Sequence, residues 1–456
     1  MLNNSSANFK TGDALTPLDG RNFRKVKDLT PYFSESALYK YRLYVEIKYF
    51  EVLSKKKLFN IEKSKLRQIN MLVEKYNENE FLKIKEIETN VNHDVKAVEY
   101  YLKEKLENLG IKTLTSYIHL GLTSEDTNNL SYGLMLKEFK DKILVKELMQ
   151  LTSQLHLMAM KYKKIPMLGR THGQPAVATT VGKELANYYL RLMKQFNKIK
   201  NFKFEGKCNG AVGSHNALKV ALSSKNWMEI GKEYVKELGL IPNLYTTQIL
   251  FYDNWIEFFQ IVSLINGILT DLSINAWQYI MLEVFAQKKK ENEVGSSTMP
   301  QKVNPINFEN AEGNLQLANS MFQYFERKLI HSRLQRDLSD STVRRNFGEA
   351  LGYSVLGWRN IQSGLNRLSV NSKHLKEELN NHWEILTEAI QTVLRLKNDT
   401  QAYEKLMKVS RGKKIDKEGY LGILKFLGLE KDTRLNKLTP EKYIGYAEEL
   451  VTKMTQ

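Results

Sequence analysis

Residues 293–305 read EVGSSTMPQKVNP, a break between two stretches of helical pattern. Within 13 residues the segment holds one glycine, two adjacent serines, two prolines, a lone lysine and side-chain amides. Residues before proline avoid the helical region, so Met299 and Asn304 are expected to be extended. Such a segment does not bury itself as a packed helix. A serine hydroxyl is a poor base unless its anion is stabilised, and a nearby lysine with loop amides supplies that stabilisation. Lys302 also suits a substrate carboxylate. On the residues alone, a polar surface loop is the competing reading.

Outward from this break, the chain reads as long helices. Its eight prolines lie at 17, 31, 166, 175, 242, 300, 305 and 440, and proline interrupts a helix by removing an N–H and crowding the preceding turn. The spacing predicts one helix over about 126–162. In it, Leu144, Leu148, Leu151, Leu155 and Met158 form a heptad-like seam continued upstream by Leu136, Phe139 and Ile143. Thr123 and Asp126 form a capping box at its start. A second helix is expected over about 253–290, a third from Pro305, and a fourth over about 340–368. Helices of this length point to an elongated bundle shared between subunits. Strand signal is sparse. FEGKCNGAVGS, residues 204–214, reads as a hairpin or an extended loop. The expected class is all-α. Shifts of composition near Gly110 and Ser369 suggest three helical domains, 1–111, 112–368 and 369–456.

Three further irregular islands lie among these helices, at helix ends where chemistry usually sits. GRTHGQPA, residues 169–176, flanks His172 with glycine, which lets backbone approach a ligand closely. Imidazole suits proton transfer near neutral pH, although a histidine bonded to its own loop carries the same letters. In TSEDTNN, Thr123 and Ser124 stand at a helix N-terminus, which favours an anion; simple capping is the alternative. Asn92, His93 and Asp94 precede an amphipathic helix and suit a polar ligand. The competing reading is an Asp94 N-cap beside an incidental histidine. As a metal site this cluster lacks a helical His-x-x-x-His partner.

Composition narrows the classes. Basic residues exceed acidic by 68 − 51 = 17 over 456 residues. Such an excess suits nucleic acid, an acidic membrane surface or a multiply charged small molecule, or else solvated helix faces. The single cysteine, Cys208, excludes an intramolecular disulfide and a multi-cysteine metal site. The first residues carry no secretory pattern, and no window of about 18 consecutive apolar residues suggests a membrane span. A reducing, cytoplasmic setting fits.

Taken together the islands resemble the fumarase/aspartase superfamily, whose signature GSSxMPxKxNP stands here as GSSTMPQKVNP, residues 295–305. RTHGQPA, TSEDTNN, NHDVKAVEY, YTTQI, RDLSDSTVRRN and LDGR look like the bacterial-type branch of the adenylosuccinate lyase family. THGQ stands where fumarase-like and argininosuccinate-lyase-like members usually carry THLQ. The resemblance runs from Leu18 to Arg411.

That resemblance implies three helical domains, a central bundle shared across a homotetramer, and active sites built from several chains. It implies β-elimination of fumarate from adenylosuccinate and from succinylaminoimidazole carboxamide ribotide, without metal or organic cofactor. Nucleotides are then the partners, rather than nucleic acid or membrane. By resemblance Ser296 is the base and His172 the acid. Lys302 and Asn304 hold the succinyl carboxylates, and His93 orients the substrate. Thr123, Ser124 and Gln248 grip the succinyl and base portions. Arg21, Arg336, Ser341 and Arg345 bind phosphate and ribose, a role suited to the planar guanidinium fork. The same match assigns substrate contacts to Asn22, Asn92, Asp94, Ser297, Val303, Asn310, Thr342, Val343 and Arg344.

Three departures stand out. Asn22 follows DGR where the family often has Tyr. Gln301 replaces a common His, as in argininosuccinate lyases. Thr89, Asn90 and Val91 precede NHD where many relatives carry Arg. The rival readings are an argininosuccinate-lyase-like enzyme and an inactive basic helical scaffold that binds nucleic acid.

Overall fold

The computed structural model describes residues 11–288, 298–299 and 301–454. These are largely helical, with three two-stranded sheets of short strands among them. The chain divides into two compact units. One comprises Met1–Glu147, Phe196–Asn266 and Asn314–Leu356; the other comprises Leu148–Gln195, Gly267–Gly313 and Gly357–Gln456.

The first unit is organised around the helix Glu35–Lys55, which begins where Ser34 accepts a hydrogen bond from the Ala37 amide at 3.1 Å. Its apolar residues are buried on several faces, and Arg42 and Glu46 are buried among them. It packs on the helix Ser124–Phe139. Beyond these lies an aromatic core in which Phe259 stacks on Phe322 at 5.4 Å and 17°, while Phe325, Phe347 and Trp255 close around it. Each such pair adds about 0.5–1.5 kcal/mol beyond simple burial. Asn266, fully buried, donates to Ser354 and Asn319, so this core carries a satisfied polar network.

The expected helices form, with corrections. The Thr123–Asp126 box is present: the Thr123 amide donates to the Asp126 carboxylate at 2.9 Å. The helix then widens into one π turn at Lys140–Leu144 before Val145–Tyr162. Leu144, Leu148, Leu151 and Leu155 are buried as the seam requires, while Met158 is half-buried. The helix expected over 253–290 ends at Met281. Glu283 turns left-handed at φ 56°, and Phe285–Gln287 leaves the helix to pair antiparallel with Leu368–Val370. Helix Ile306–Leu329 starts one residue past Pro305, whose carbonyl accepts from Phe308. The fourth helix is two, Ser339–Arg344 and Phe347–Asn366. Only Glu205–Gly206 of the glycine-rich segment is strand, and its pairing with Ile241–Pro242 is parallel, so it is no hairpin.

GRTHGQPA, expected to be irregular, holds the turn of an antiparallel hairpin, Pro166–Thr171 with Gln174–Thr180. His172 and Gly173 occupy the two central positions with φ of 53° and 73°, both left-handed, which fits the twist of a two-residue hairpin. Leu168 and Ala178 anchor the strands in a core with Leu379, Trp383, Leu386, Ile390, Tyr420 and Leu424. Arg170 pairs with Glu378 beside them.

Asp253–Met281 is the one described helix long and apolar enough to cross a membrane by length and composition, and 56% of its most apolar window is buried inside the protein. A mostly buried helix passes that test as a core element.

Candidate active site

In the first unit, a cavity of about 440 Å³ opens where five segments meet. That volume lies in the range of about 300–1,000 Å³ usual for small-molecule sites. Asn92, His93, Asp94, Thr123, Ser124, Gln248, Arg336, Ser341, Arg344 and Arg345 all line it. A sequence separation of 251 positions is bridged here by contact between Asp94 and Arg345.

Each segment delivers its residues for a local reason. Asn92 ends the helix Glu78–Val91 in the left-handed conformation, φ 51°. The chain then turns directly into Asp94–Asn108. His93, not Asp94, is the N-cap: its Nδ1 accepts the Lys96 amide at 3.2 Å. That bond leaves the proton of the neutral ring on Nε2. Asp94 takes the first helical position and turns its carboxylate to arginines. Its Oδ2 lies 2.7 Å from Arg42 Nη2 and 3.5 Å from Arg345 Nη2. Burial pushes the Asp94 carboxyl up, but Arg42, the Val95 amide and Arg345 together outweigh it and hold it below its ordinary value.

The second wall is the N-terminus of Ser124–Phe139, where free amides and the helix dipole favour negative charge. The helix start is fixed from behind by Asp126. Its two oxygens accept the amides of Thr123, Asn209 and Gly210 at 2.9–3.0 Å and pair with Lys207 at 2.9 Å. Glu125 is buried and clamped by Arg344, with two parallel bonds of 2.8 and 3.0 Å, and by Arg336. Burial raises the Glu125 carboxyl; the two guanidiniums overcome this and lower it. Arg344 also lies over the Tyr132 and Tyr252 rings at 5.1 and 5.6 Å. Gln248 reaches the cavity from a loop held by its side-chain bond to the Ala211 carbonyl at 3.1 Å.

The remaining candidates are placed as follows. Arg21 is exposed and Asn22 half-buried at the start of Phe23–Val26, and neither lines this cavity. Thr342 is exposed and Val343 buried in the short helix Ser339–Arg344, which turns Ser341 and Arg345 toward the cavity. In the second unit, His172 is exposed at the hairpin tip. Lys302 is also exposed, its amide bonded to the Met299 carbonyl at 3.1 Å; Val303 and Asn304 are half-buried, and the Val303 carbonyl accepts from Gln287 at 3.1 Å. Asn310 is exposed in Ile306–Leu329. Ser296 and Ser297 lie outside the described residues.

Arg42, Glu88 and Tyr132 also line the cavity from outside the motifs, and Asn128 lines it from within TSEDTNN. The available signal is two opposite charges, Arg42 and Glu46, inside the apolar run YKYRLYVEIKYF; they pair with Asp94 and His119 respectively. Charged residues in such a run are buried only when paired. Among the described residues no group of three or more His, Cys, Asp or Glu gathers as a metal site.

The fold is shared with two solved enzyme structures. The fumarate lyase from Mesorhizobium sp. BNC1 superposes with a TM-score of 0.74 at 18% identity, covering 94% of this chain and 97% of that one. The 3-carboxy-cis,cis-muconate lactonizing enzyme from Pseudomonas putida gives 0.76 at 19%, covering 94% and 96%. In sequence, residues 20–318 match the Lyase family, and residues 332–444 match the adenylosuccinate lyase C-terminal family. The adenylosuccinate lyase of Haemophilus influenzae is 45% identical over 98% of this chain and 100% of its own. That of Legionella pneumophila (strain Corby) is 45% identical over 96% and 98%, and that of Escherichia coli (strain K12) 42% over 97% and 98%. With kinship of this depth over essentially its whole length, and with ten of the motif residues lining one arginine-rich cavity, the chain belongs to the adenylosuccinate lyase family.

Proposed function

We propose that this protein is an adenylosuccinate lyase that releases fumarate from adenylosuccinate, giving AMP, and from succinylaminoimidazole carboxamide ribotide, giving the free carboxamide ribotide, in purine nucleotide synthesis. The observation that carries the reading is the convergence of ten motif residues on one cavity whose lining includes four arginines. Both substrates carry a phosphate and two carboxylates, an anionic load that such a lining suits.

The reaction breaks a C–N bond. Ser296, as alkoxide, takes the proton from the carbon next to the one bearing nitrogen. The electron pair left behind forms the double bond of fumarate as the C–N bond opens. His172, protonated, hands its proton to the departing nitrogen. Negative charge grows on the carboxylate beside the carbanion, so cationic and dipolar groups must meet it there. Lys302 and Asn304 serve that carboxylate. Thr123 and Ser124, at a helix N-terminus, serve the succinyl group, and His93 offers its Nε2 proton. Arg336, Ser341 and Arg345 take the phosphate, joined by Arg21.

A homotetramer with shared active sites, in the cytoplasm, completes the reading, with three helical domains per chain at 1–111, 112–368 and 369–456. Apolar side chains exposed on long helices support the assembly: Leu264, Leu317 and Tyr324 in the first unit, and Met149, Leu157, Trp277 and Met281 in the second. The test is parallel incubation of the purified protein with adenylosuccinate and with argininosuccinate. Fumarate from the first alone supports the assignment; fumarate from argininosuccinate alone, or from neither, refutes it.

A further inference from the structure

Two of the cavity arginines are held by carboxylates, and each carboxylate has a second, buried arginine behind it. Asp94 joins the exposed Arg345 to Arg42, whose side chain is 3% exposed. Glu125 joins Arg336 to Arg344, 1% exposed. The Asp94 trio carries a net charge of +1, whereas Arg344 also pairs with Asp340 at 3.2 Å, which makes the Glu125 group neutral. Around Asp94 the two arginines differ: Arg42 sits 2.7 Å from the carboxylate, whereas Arg345 stands off at 3.5 Å. Arg42 is further fixed by Asn128, which accepts from its Nε at 2.9 Å.

We infer that Arg42 is a positioning residue: by satisfying Asp94 from the buried side, it leaves the Arg345 guanidinium free to bind the substrate phosphate. Without Arg42, the Asp94 carboxylate has one cation left in reach. Arg345 then closes onto it, and both its charge and its donor fork turn away from the cavity. The remaining Asp94 oxygen does not relieve this, because it already accepts the Val95 amide at 2.9 Å. At Glu125 the arrangement differs, because Arg336 is itself in close contact with the carboxylate and Arg344 is shared with Asp340 at 3.2 Å, so the device belongs to Asp94. The inference rests on the lyase reading only in naming the anion as a nucleotide phosphate.

The experiment measures AMP and fumarate as product ligands, by calorimetric binding and by inhibition, in wild type and Arg42→Gln. AMP carries the phosphate; fumarate does not. Arg42→Gln should weaken AMP binding and raise KM for adenylosuccinate about tenfold, the loss of one charge-assisted contact, with kcat within about threefold. Fumarate affinity should stay within about twofold of wild type. Adding Arg345→Ala to Arg42→Gln should weaken AMP no further than Arg345→Ala alone, because Arg42 acts through Arg345. If Arg42→Gln fails to fold, Arg42→Lys keeps the charge but gives up the bond to Asn128, and AMP should weaken about threefold with fumarate unchanged. Unchanged AMP affinity, or AMP and fumarate weakened together, overturns the inference. A wild type that binds AMP but releases no fumarate refutes the lyase reading instead, and the arginine result still stands or falls on the binding data.

Discussion

Lys207 and Asp126 meet at 2.9 Å with neither side chain reaching solvent. The pair stitches the loop after Phe204 to the helix that presents Thr123 and Ser124. Lys207 also donates to the Gly210 and Thr247 carbonyls at 3.2 and 3.5 Å, so the ammonium has a partner in each direction. Replacing it strands a carboxylate that cannot reach water. Lys207→Met is expected to lower stability by about 3–5 kcal/mol. Urea denaturation at matched protein concentration reads this directly, and a loss below about 1 kcal/mol would contradict the role given to the pair.

Gly213 makes a close approach that no other residue allows. Its φ is +81°, and a Cβ there would stand 2.2 Å from the Thr246 carbonyl oxygen. The loop it presses against carries Gln248 into the cavity. Gly213→Ala should cost about 1–3 kcal/mol and push that loop outward. The expected kinetic signature is a raised KM with a smaller change in kcat; an unaltered KM would separate this loop from binding.

His119 makes stability depend on pH. Burial alone would lower its imidazole, but Glu46, 2.7 Å away, outweighs burial and holds it above the ordinary 6.5. A folded value above the unfolded one means that the contribution is complete below about pH 6.5 and fades as pH rises through the folded value. Against His119→Asn, the wild type should therefore hold a larger stability advantage at about pH 5.5 than at about pH 9. An advantage that grows with pH would reverse the sign and refute the account.

The proposed acid and base can be separated by what they leave intact. Ser296→Ala should abolish turnover while binding adenylosuccinate nearly as wild type does. His172→Gln should lose at least about 100-fold in kcat, the lower range for removing a general acid. Near-normal turnover by purified Ser296→Ala would take the base role from that residue.

Much of the fold and of the cavity is legible in the sequence, and the limits follow from what a linear pattern can carry. The Thr123–Asp126 cap is local, four residues that fold on themselves, and its letters suffice to identify it. The seam at Leu144, Leu148, Leu151 and Leu155 repeats with helical period and is legible for the same reason. The end of the helix at Met281 is not. Gln287 to Lys290 continue a polar, helix-compatible run, and the competing partner, the strand Leu368–Val370, lies about 80 residues away. The hairpin carrying His172 escapes sequence reading because its turn uses a histidine in the left-handed conformation, where Asn or Asp before Gly is the usual signal. Arg42 escapes it because its meaning depends on Asp94, 52 positions on, and on Asn128, 86 positions on.

The central claim is that His172 and Ser296 work on opposite sides of one breaking bond, in a site to which different subunits contribute. The direct measurement mixes inactive His172→Gln with inactive Ser296→Ala, exchanges their subunits, and follows fumarate release from adenylosuccinate. With the two residues supplied by different subunits, random exchange of equal amounts regenerates about one intact site in four, so about a quarter of wild-type activity should return. No recovery after exchange has been verified by mass would contradict the account.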